Sequence, residues 1–260
     1  MRISDKFEEL KSRNEGALIS YICAGDPSTE LTKSAVEALV RGGADIIELG
    51  LPFSDPCADG PVIQSATDRA ISAGMTPDRY FELVSTLQVD IPLVCMTYYN
   101  IIYKRGIEKF IEDCSSSGIT GLIVPDLPVE ESDELGLACE KNEVDLIFLI
   151  APTTNKKRLQ KILSKSTGFL YMVSRTGVTG GSTDINTGIA DLLTDIKKCA
   201  NIPIAVGFGI SNRNQVVDII SYGADGVIAG SAFVDIIASG KNVEHRLESL
   251  VFDLKSGCKE

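Results

Sequence analysis

The chain contains a single histidine, His245, and its place in a polar C-terminal helix pattern argues against two chemistries at once. A His-ligated metal and a Ser-His-Asp triad both need more than it offers. Seven cysteines, an odd number, lie at Cys23, Cys57, Cys95, Cys114, Cys139, Cys199 and Cys258 without a CxxC pair, as expected of reduced thiols in a cytosolic protein. No apolar run reaches membrane-spanning length, and MRISDKFEELKSR lacks an apolar stretch before a small-residue cleavage site, so a cytoplasmic location is expected. The formal net charge of -11, with no basic patch in view, speaks against nucleic acid. No lysine stands near the end of an apolar run, which leaves the Schiff-base route of an aldolase without its nucleophile. No cluster of metal ligands offers the metal-assisted route either, so neither metal nor cofactor is expected in this chain. Finally, no Pro/Ser-rich linker or low-complexity stretch divides the 260 residues, and one domain, 1–260, is expected.

What the chain does have is apolar material, 44% of its residues, enough for a large core. It is arranged in eight short runs: ALISYICAG, ADIIELG, IPLVCMTYYN, ITGLIVPDLP, VDLIFLIAP, GFLYMVS, IPIAVGFG and ADGVIAG. Nearly continuous runs of this kind read as strands buried on both faces of a parallel sheet. Helical patterns lie between them, as in STELTKSAVEALVRGG, where Leu31, Ala35 and Leu39 recur at helical spacing and Gly42 can serve as the stop, and again in RNQVVDIISYGA. The expectation is a (β/α)8 TIM barrel with an extra N-terminal helix and a phosphate-binding helix after strand eight. A doubly wound open sheet competes, but it would need a nucleotide fingerprint that the chain lacks. Two connections read as longer than the rest, PFSDPCADGP through about Thr76 and SRTGVTGGSTDINTG. Both would follow strand C-terminal ends, and the second has the composition of a mobile lid.

GFGIS ends the seventh run and AGSAF the eighth, the loops where such barrels hold phosphate. There the N–H groups of Gly209, Gly230 and Ser231 can point at one anion with a helix dipole behind them. Tight turns are the plainer use of the same glycines. Glu48 sits between Ile47 and Leu49, and a carboxylate so walled in should bind its proton more tightly than usual. Pairing with a core arginine, or a water-facing position, is the alternative. Asp59 follows on the loop and could fold over the same cavity, or simply shape an Asx turn before Gly60. Asp26, in GDPS, most simply shapes a turn, and Asp55 reads as exposed. What remains is proton transfer by carboxylates on a phosphorylated substrate.

IELGLPFSDPCADGP, with YICAGDPS before it, TYYN and VPDLPVEES in the middle, then YMVSRTGVTG, VGFGIS and AGSAF, resembles the tryptophan synthase alpha subunit family from end to end. The resemblance implies cleavage of indole-3-glycerol phosphate to indole and glyceraldehyde 3-phosphate, a retro-aldol lyase reaction of tryptophan biosynthesis. It implies that Glu48 is the acid/base that protonates indole C3 and takes the side-chain hydroxyl proton. Asp59 is implied to hydrogen-bond the indole N–H and to steady the indolenine cation. Gly180, Gly209, Gly230 and Ser231 match phosphate contacts, and Tyr21, Tyr171 and Phe208 match cavity-lining positions. Tyr171 is further implied to hydrogen-bond Glu48 or the substrate, plain core packing being the alternative for each aromatic. Arg175 to Gly188 match a lid in which Thr179 touches Asp59 on closing. Asp126 matches a strand-end aspartate linked to loop ordering, with a turn role as the alternative.

Cys57, Cys23 and Ile101 depart from the family's usual residues, and none removes a catalytic group. The resemblance implies a pyridoxal-phosphate beta subunit as partner in an alpha-beta-beta-alpha heterotetramer, with Asp55, Phe53 and the TYYN region as the docking face. Two other readings stay open: a stand-alone lyase that releases free indole, and a non-catalytic paralogue that only binds a phosphoester. A phosphosugar isomerase could share GFGIS and AGSAF but would leave the second-run motif unexplained.

Overall fold

The computed structural model describes residues 1–173, 184–207 and 209–259, apart from the side chains of 184–188. Every strand pairs in parallel with its neighbours, as runs buried on both faces require. In chain order the strands are β1 (Ala17–Cys23), β2 (Ile46–Gly50), β3 (Leu93–Met96), β4 (Ile119–Ile123), β5 (Asp145–Ile147), β6 (Leu149–Ile150), β7 (Leu170–Val173), β8 (Ile204–Gly207) and β9 (Gly226–Ala229). Their order in the sheet is β5-β4-β3-β2-β1-β9-β8-β7-β6. The two ends of that series, β5 and β6, belong to the single run VDLIFLIAP, interrupted at Phe148. Among the described residues, eight apolar runs therefore give nine strand segments of a nearly closed barrel, whose seam falls inside one run.

Side chains alternate across a strand, so Ala17, Ile19, Ile46, Val94, Ile123, Ile147, Ala205 and Ile228 fill the barrel interior together. The N-terminal helix α1 (Ile3–Ser12) adds Ile3, Phe7 and Leu10 to this cluster, and the Phe7 ring stands 5.9 Å from Phe169 just before β7. It plugs the barrel floor. The outward faces of the strands meet α2 (Thr29–Gly42), α3 (Pro61–Ser72), α4 (Pro77–Ser85), α5 (Tyr99–Arg105), α6 (Ile107–Ser117), α7 (Asp133–Lys141), α8 (Lys156–Lys165), α9 (Asp184–Lys197), α10 (Arg213–Ser221), α11 (Ser231–Ser239) and α12 (Val243–Gly257) in the larger apolar cluster. His245 lies on α12, as its polar pattern suggests.

Local chemistry accounts for the helix ends. Ser28 caps α2 by accepting from the Leu31 N–H, and Asn212 with Gln215 forms a capping box at α10. The stop of α2 is Gly43, at φ 102°, rather than Gly42, which is the last helical residue. Gly42 has a different duty: a Cβ there would stand 2.7 Å from Val251 Cβ on α12.

Two loop readings need correction. The connection after β2 is a loop only to Gly60, because Pro61 opens α3 at the first helical position, and Ala66, Thr67 and Ala70 give the helix its buried stripe. The connection after β7 ends early, since α9 begins at Asp184.

At the barrel floor the chain ends are tied by charge. Lys255 Nζ of α12 lies 2.8 Å from Asp45 Oδ2 and 3.3 Å from Glu15 Oε2, and donates to the Gly16 carbonyl at 3.0 Å. Asp45 also accepts the Leu18 N–H at 2.8 Å.

Candidate active site

Glu48 shares the inward face of β2 with Ile46 and lies beside Tyr21 of β1 in the strand register. It is 1% exposed, and its Oε2 has no hydrogen-bond partner among the described residues. Among the described residues no arginine pairs with Glu48 at Oε2, and it does not face water. Desolvation, with the charge of Asp59 adding, pushes its carboxyl up to about 8. At neutral pH it is a held proton in an apolar wall.

Two tyrosines shape that wall. A Cβ on Gly50 would stand 2.9 Å from Tyr21 Cζ, and one on Gly207 would stand 2.7 Å from Tyr171 Cε2. Glycine at these strand ends lets each ring lie flat against the backbone of the neighbouring strand. Burial, then the charges of Glu48 and Asp59, raises the Tyr171 hydroxyl well above its usual range. The implied Tyr171 hydrogen bond to Glu48 is not made at Oε2. Tyr21 is nearly buried and also packs against Gly230.

Asp59 comes in from the loop between β2 and α3 and is half-buried. Burial raises its carboxyl, while a hydrogen bond with Tyr98 acts in the opposite direction. The Tyr98 hydroxyl also accepts the Ala58 N–H at 3.2 Å, and its ring stacks on Phe53 at 5.3 Å. Tyr98 thus fastens the loop at Phe53, at Ala58 and at the Asp59 carboxylate itself. Sequence reasoning placed the TYYN region on a docking face and missed this role; the signal, a tyrosine just past a strand end, is too common to stand out. Asp126 Oδ1 accepts the Tyr99 N–H at 2.9 Å, which anchors the start of α5 beside Tyr98 and is more than a turn role.

Across the mouth, Gly209 has φ 71° and Gly230 is the N-cap of α11. That helix start has no side-chain cap, and its first turn carries no acidic residue. The N–H group of Ser231 stands at its open, positive end. Thr179, Gly180 and Phe208, with the 175–183 part of the expected lid, lie outside the described residues. Asp55 is exposed, as expected, and Phe53 is half-buried. Cys57 is exposed on the same loop, whereas Cys23 is buried, its thiol pushed up to about 12 chiefly by burial. Asp26 does more than shape a turn: at 1% side-chain exposure it takes both arms of the Arg69 guanidinium, each at 2.7 Å. No group of three His, Cys, Asp or Glu side chains among the described residues could share a metal ion.

A barrel with one desolvated glutamate, an aspartate on the following loop and an uncapped helix start across the mouth can move a proton on an anion-anchored substrate. Residues 7–258 match the family model described as tryptophan synthase alpha chain. The tryptophan synthase alpha chain of Methanosarcina barkeri is 57% identical over 258 residues, covering 99% of this chain and 97% of that relative. That of Methanocaldococcus jannaschii is 48% identical over 240 residues, covering 91% and 85%. The crystal structure of tryptophan synthase subunit alpha from Legionella pneumophila superposes with a TM-score of 0.91 at 32% identity, covering 99% of this chain and 98% of that one. The chain belongs to the tryptophan synthase alpha chain family.

Proposed function

We propose that this chain is a carbon-carbon lyase that cleaves indole-3-glycerol phosphate to indole and glyceraldehyde 3-phosphate, the alpha reaction of L-tryptophan biosynthesis. The observation that carries the reading is Glu48, buried and unpaired at Oε2, its carboxyl pushed up to about 8 by desolvation and then by the charge of Asp59. Glu48 gives its proton to indole C3, which makes that carbon tetrahedral and leaves the positive charge on the ring nitrogen. The bond between C3 and the side chain then breaks, and its electron pair returns to the ring. The hydroxyl on the departing carbon gives its proton back to Glu48 and becomes the aldehyde. No proton is gained or lost overall, so one buried group performs both transfers.

Asp59 accepts the indole N–H and balances the cation at the moment C3 is protonated. Its negative charge also helps hold the proton on Glu48. Tyr21, Tyr171 and Phe208 line the cavity for the flat ring, and Gly180, Gly209, Gly230 and Ser231 receive the phosphate. Thr179 closes on Asp59 when the lid covers the site. A single domain, 1–260, in the cytoplasm carries the reaction with no cofactor of its own. Its partner is a beta subunit holding pyridoxal phosphate, joined in an alpha-beta-beta-alpha heterotetramer through Phe53, Asp55 and the Tyr98–Tyr99 region.

The test is indole release from indole-3-glycerol phosphate by the purified chain and by Glu48→Gln, each with and without a beta subunit. Slow release alone, activation by the beta chain, and loss of about 10²–10⁴-fold in the variant are expected. Fast release by the chain alone would make it a stand-alone lyase. No release under any condition would leave a phosphoester-binding paralogue.

A further inference from the structure

Arg69 stands on α3, eight residues past Pro61, hence about 12 Å along the helix from the end that follows Asp59 and Gly60. Its guanidinium meets the Asp26 carboxylate through two parallel bonds of 2.7 Å, a pairing that fixes both direction and rotation. Asp26 lies three residues past β1 and is 1% exposed at its side chain, so without Arg69 it would be a buried charge with no compensation. At the other end of the helix, Gln64 Nε2 donates to the Asp59 carbonyl at 2.8 Å. The rigid helix is thus held at one point to the loop after β1 and at another to the backbone of the catalytic loop. Arg69 also faces α11: Val62, Ser65 and Arg69 on one side and Val234 and Asp235 on the other line a groove of about 240 Å³. The charge of Asp235 adds to that of Asp26 in the field that Arg69 feels. Segments after β1, after β2 and after β9 thus converge on this one side chain.

We propose that Arg69 is a positioning residue for the reaction: by clamping α3 to the buried carboxylate of Asp26, it sets where Asp59 stands over the cavity. The inference rests on the reading of Asp59 as a catalytic carboxylate. Arg69 touches neither substrate nor reacting atoms and acts through the helix alone. A misplacement of about 1 Å in a reacting group is enough to cost on the order of 10²-fold in rate. The phosphate end is held elsewhere, by backbone at the start of α11, so binding should be largely spared.

The experiment compares the full chain with Arg69→Met, Arg69→Lys, Asp26→Asn combined with Arg69→Met, and Asp59→Asn, using indole-3-glycerol phosphate across pH. Circular dichroism and melting are recorded on each protein. Arg69→Met is expected to lower kcat by about ten- to a hundredfold with KM within about threefold. Arg69→Lys, which keeps the charge and one bond, should recover part of the loss. The double variant should be no slower than Arg69→Met, because both changes break the same contact, and it removes the unpaired buried charge if Arg69→Met folds poorly. The apparent pKa assigned to Glu48 should fall in these variants, since Asp59 withdraws while Tyr21 and Tyr171 remain opposite it. A kcat loss that only tracks the unfolded fraction, with an unmoved pH profile, would overturn the positioning role. If Asp59→Asn abolishes turnover and Arg69→Met does not lower it, positioning alone fails; if Asp59→Asn has no effect, the reading of Asp59 fails with it.

Discussion

Glu48 illustrates how a residue's chemistry follows from the face of the strand it occupies. Turned into the barrel with Ile46, while Ile47 and Leu49 face outward, it has no water to solvate its charge, and desolvation pushes its carboxyl up to about 8. The same shift has a consequence for stability. A carboxyl raised in the folded state favours folding fully only below its unfolded pKa, and the favour is lost as pH rises from about 4.3 through about 8. Glu48→Gln, which mimics the protonated form, is therefore expected to melt above the parent protein at pH 8 and close to it at pH 4, checked by calorimetry at both values. The burial of Glu48 was legible in the sequence because it stands inside its apolar run, whereas the acids of the other runs lie toward an end. Tyr98 and Arg69 were not, because their importance lies in the partners that the fold brings to them.

At the scale of elements, periodicity found the strands and the α2 and α10 helices but misjudged breaks and lengths. The helix α3 was read as loop because its buried face is made of Ala66, Thr67 and Ala70, small residues that leave a weak apolar signal. The break at Phe148 was hidden because a strand that bends at a barrel seam keeps the composition of one that does not. Packing inside the elements yields two further expectations. Phe7→Ala should remove about 3–5 kcal/mol of stability by emptying the plug of the barrel floor, measured by chemical denaturation, while folded enzyme keeps its kcat. Gly207→Ala should cost less stability but reach the cavity. Its added methyl drives into the Tyr171 ring at a cost of about 1–3 kcal/mol and moves a wall of the cavity, so kcat/KM should fall in protein that is still folded.

On the scale of the whole molecule, charge closes what the apolar core builds. Lys255, near the C-terminus, satisfies Asp45, Glu15 and the Gly16 carbonyl at the floor, far from the mouth where the chemistry lies. Lys255→Met should cost about 3–5 kcal/mol, because Asp45 is left as an unpaired buried charge, with turnover per folded molecule unchanged. Fold class was open to sequence reasoning because eight similar runs repeat one unit; this floor network was not, since its members lie 239 residues apart. The seam at Phe148 also divides the molecule by function. One stretch, up to Ile147, holds β1 to β5 side by side and carries both proposed carboxylates, while the other, from Leu149, holds β6 to β9 and carries every proposed phosphate ligand. Under the proposed function, the two carboxylates and the phosphate ligands fall in separate halves of the chain, which meet where the Tyr21 ring of β1 rests on Gly230 just past β9. On that reading, selection could retune the phosphate contacts of Gly209, Gly230 and Ser231 while leaving Glu48 and Asp59 in place.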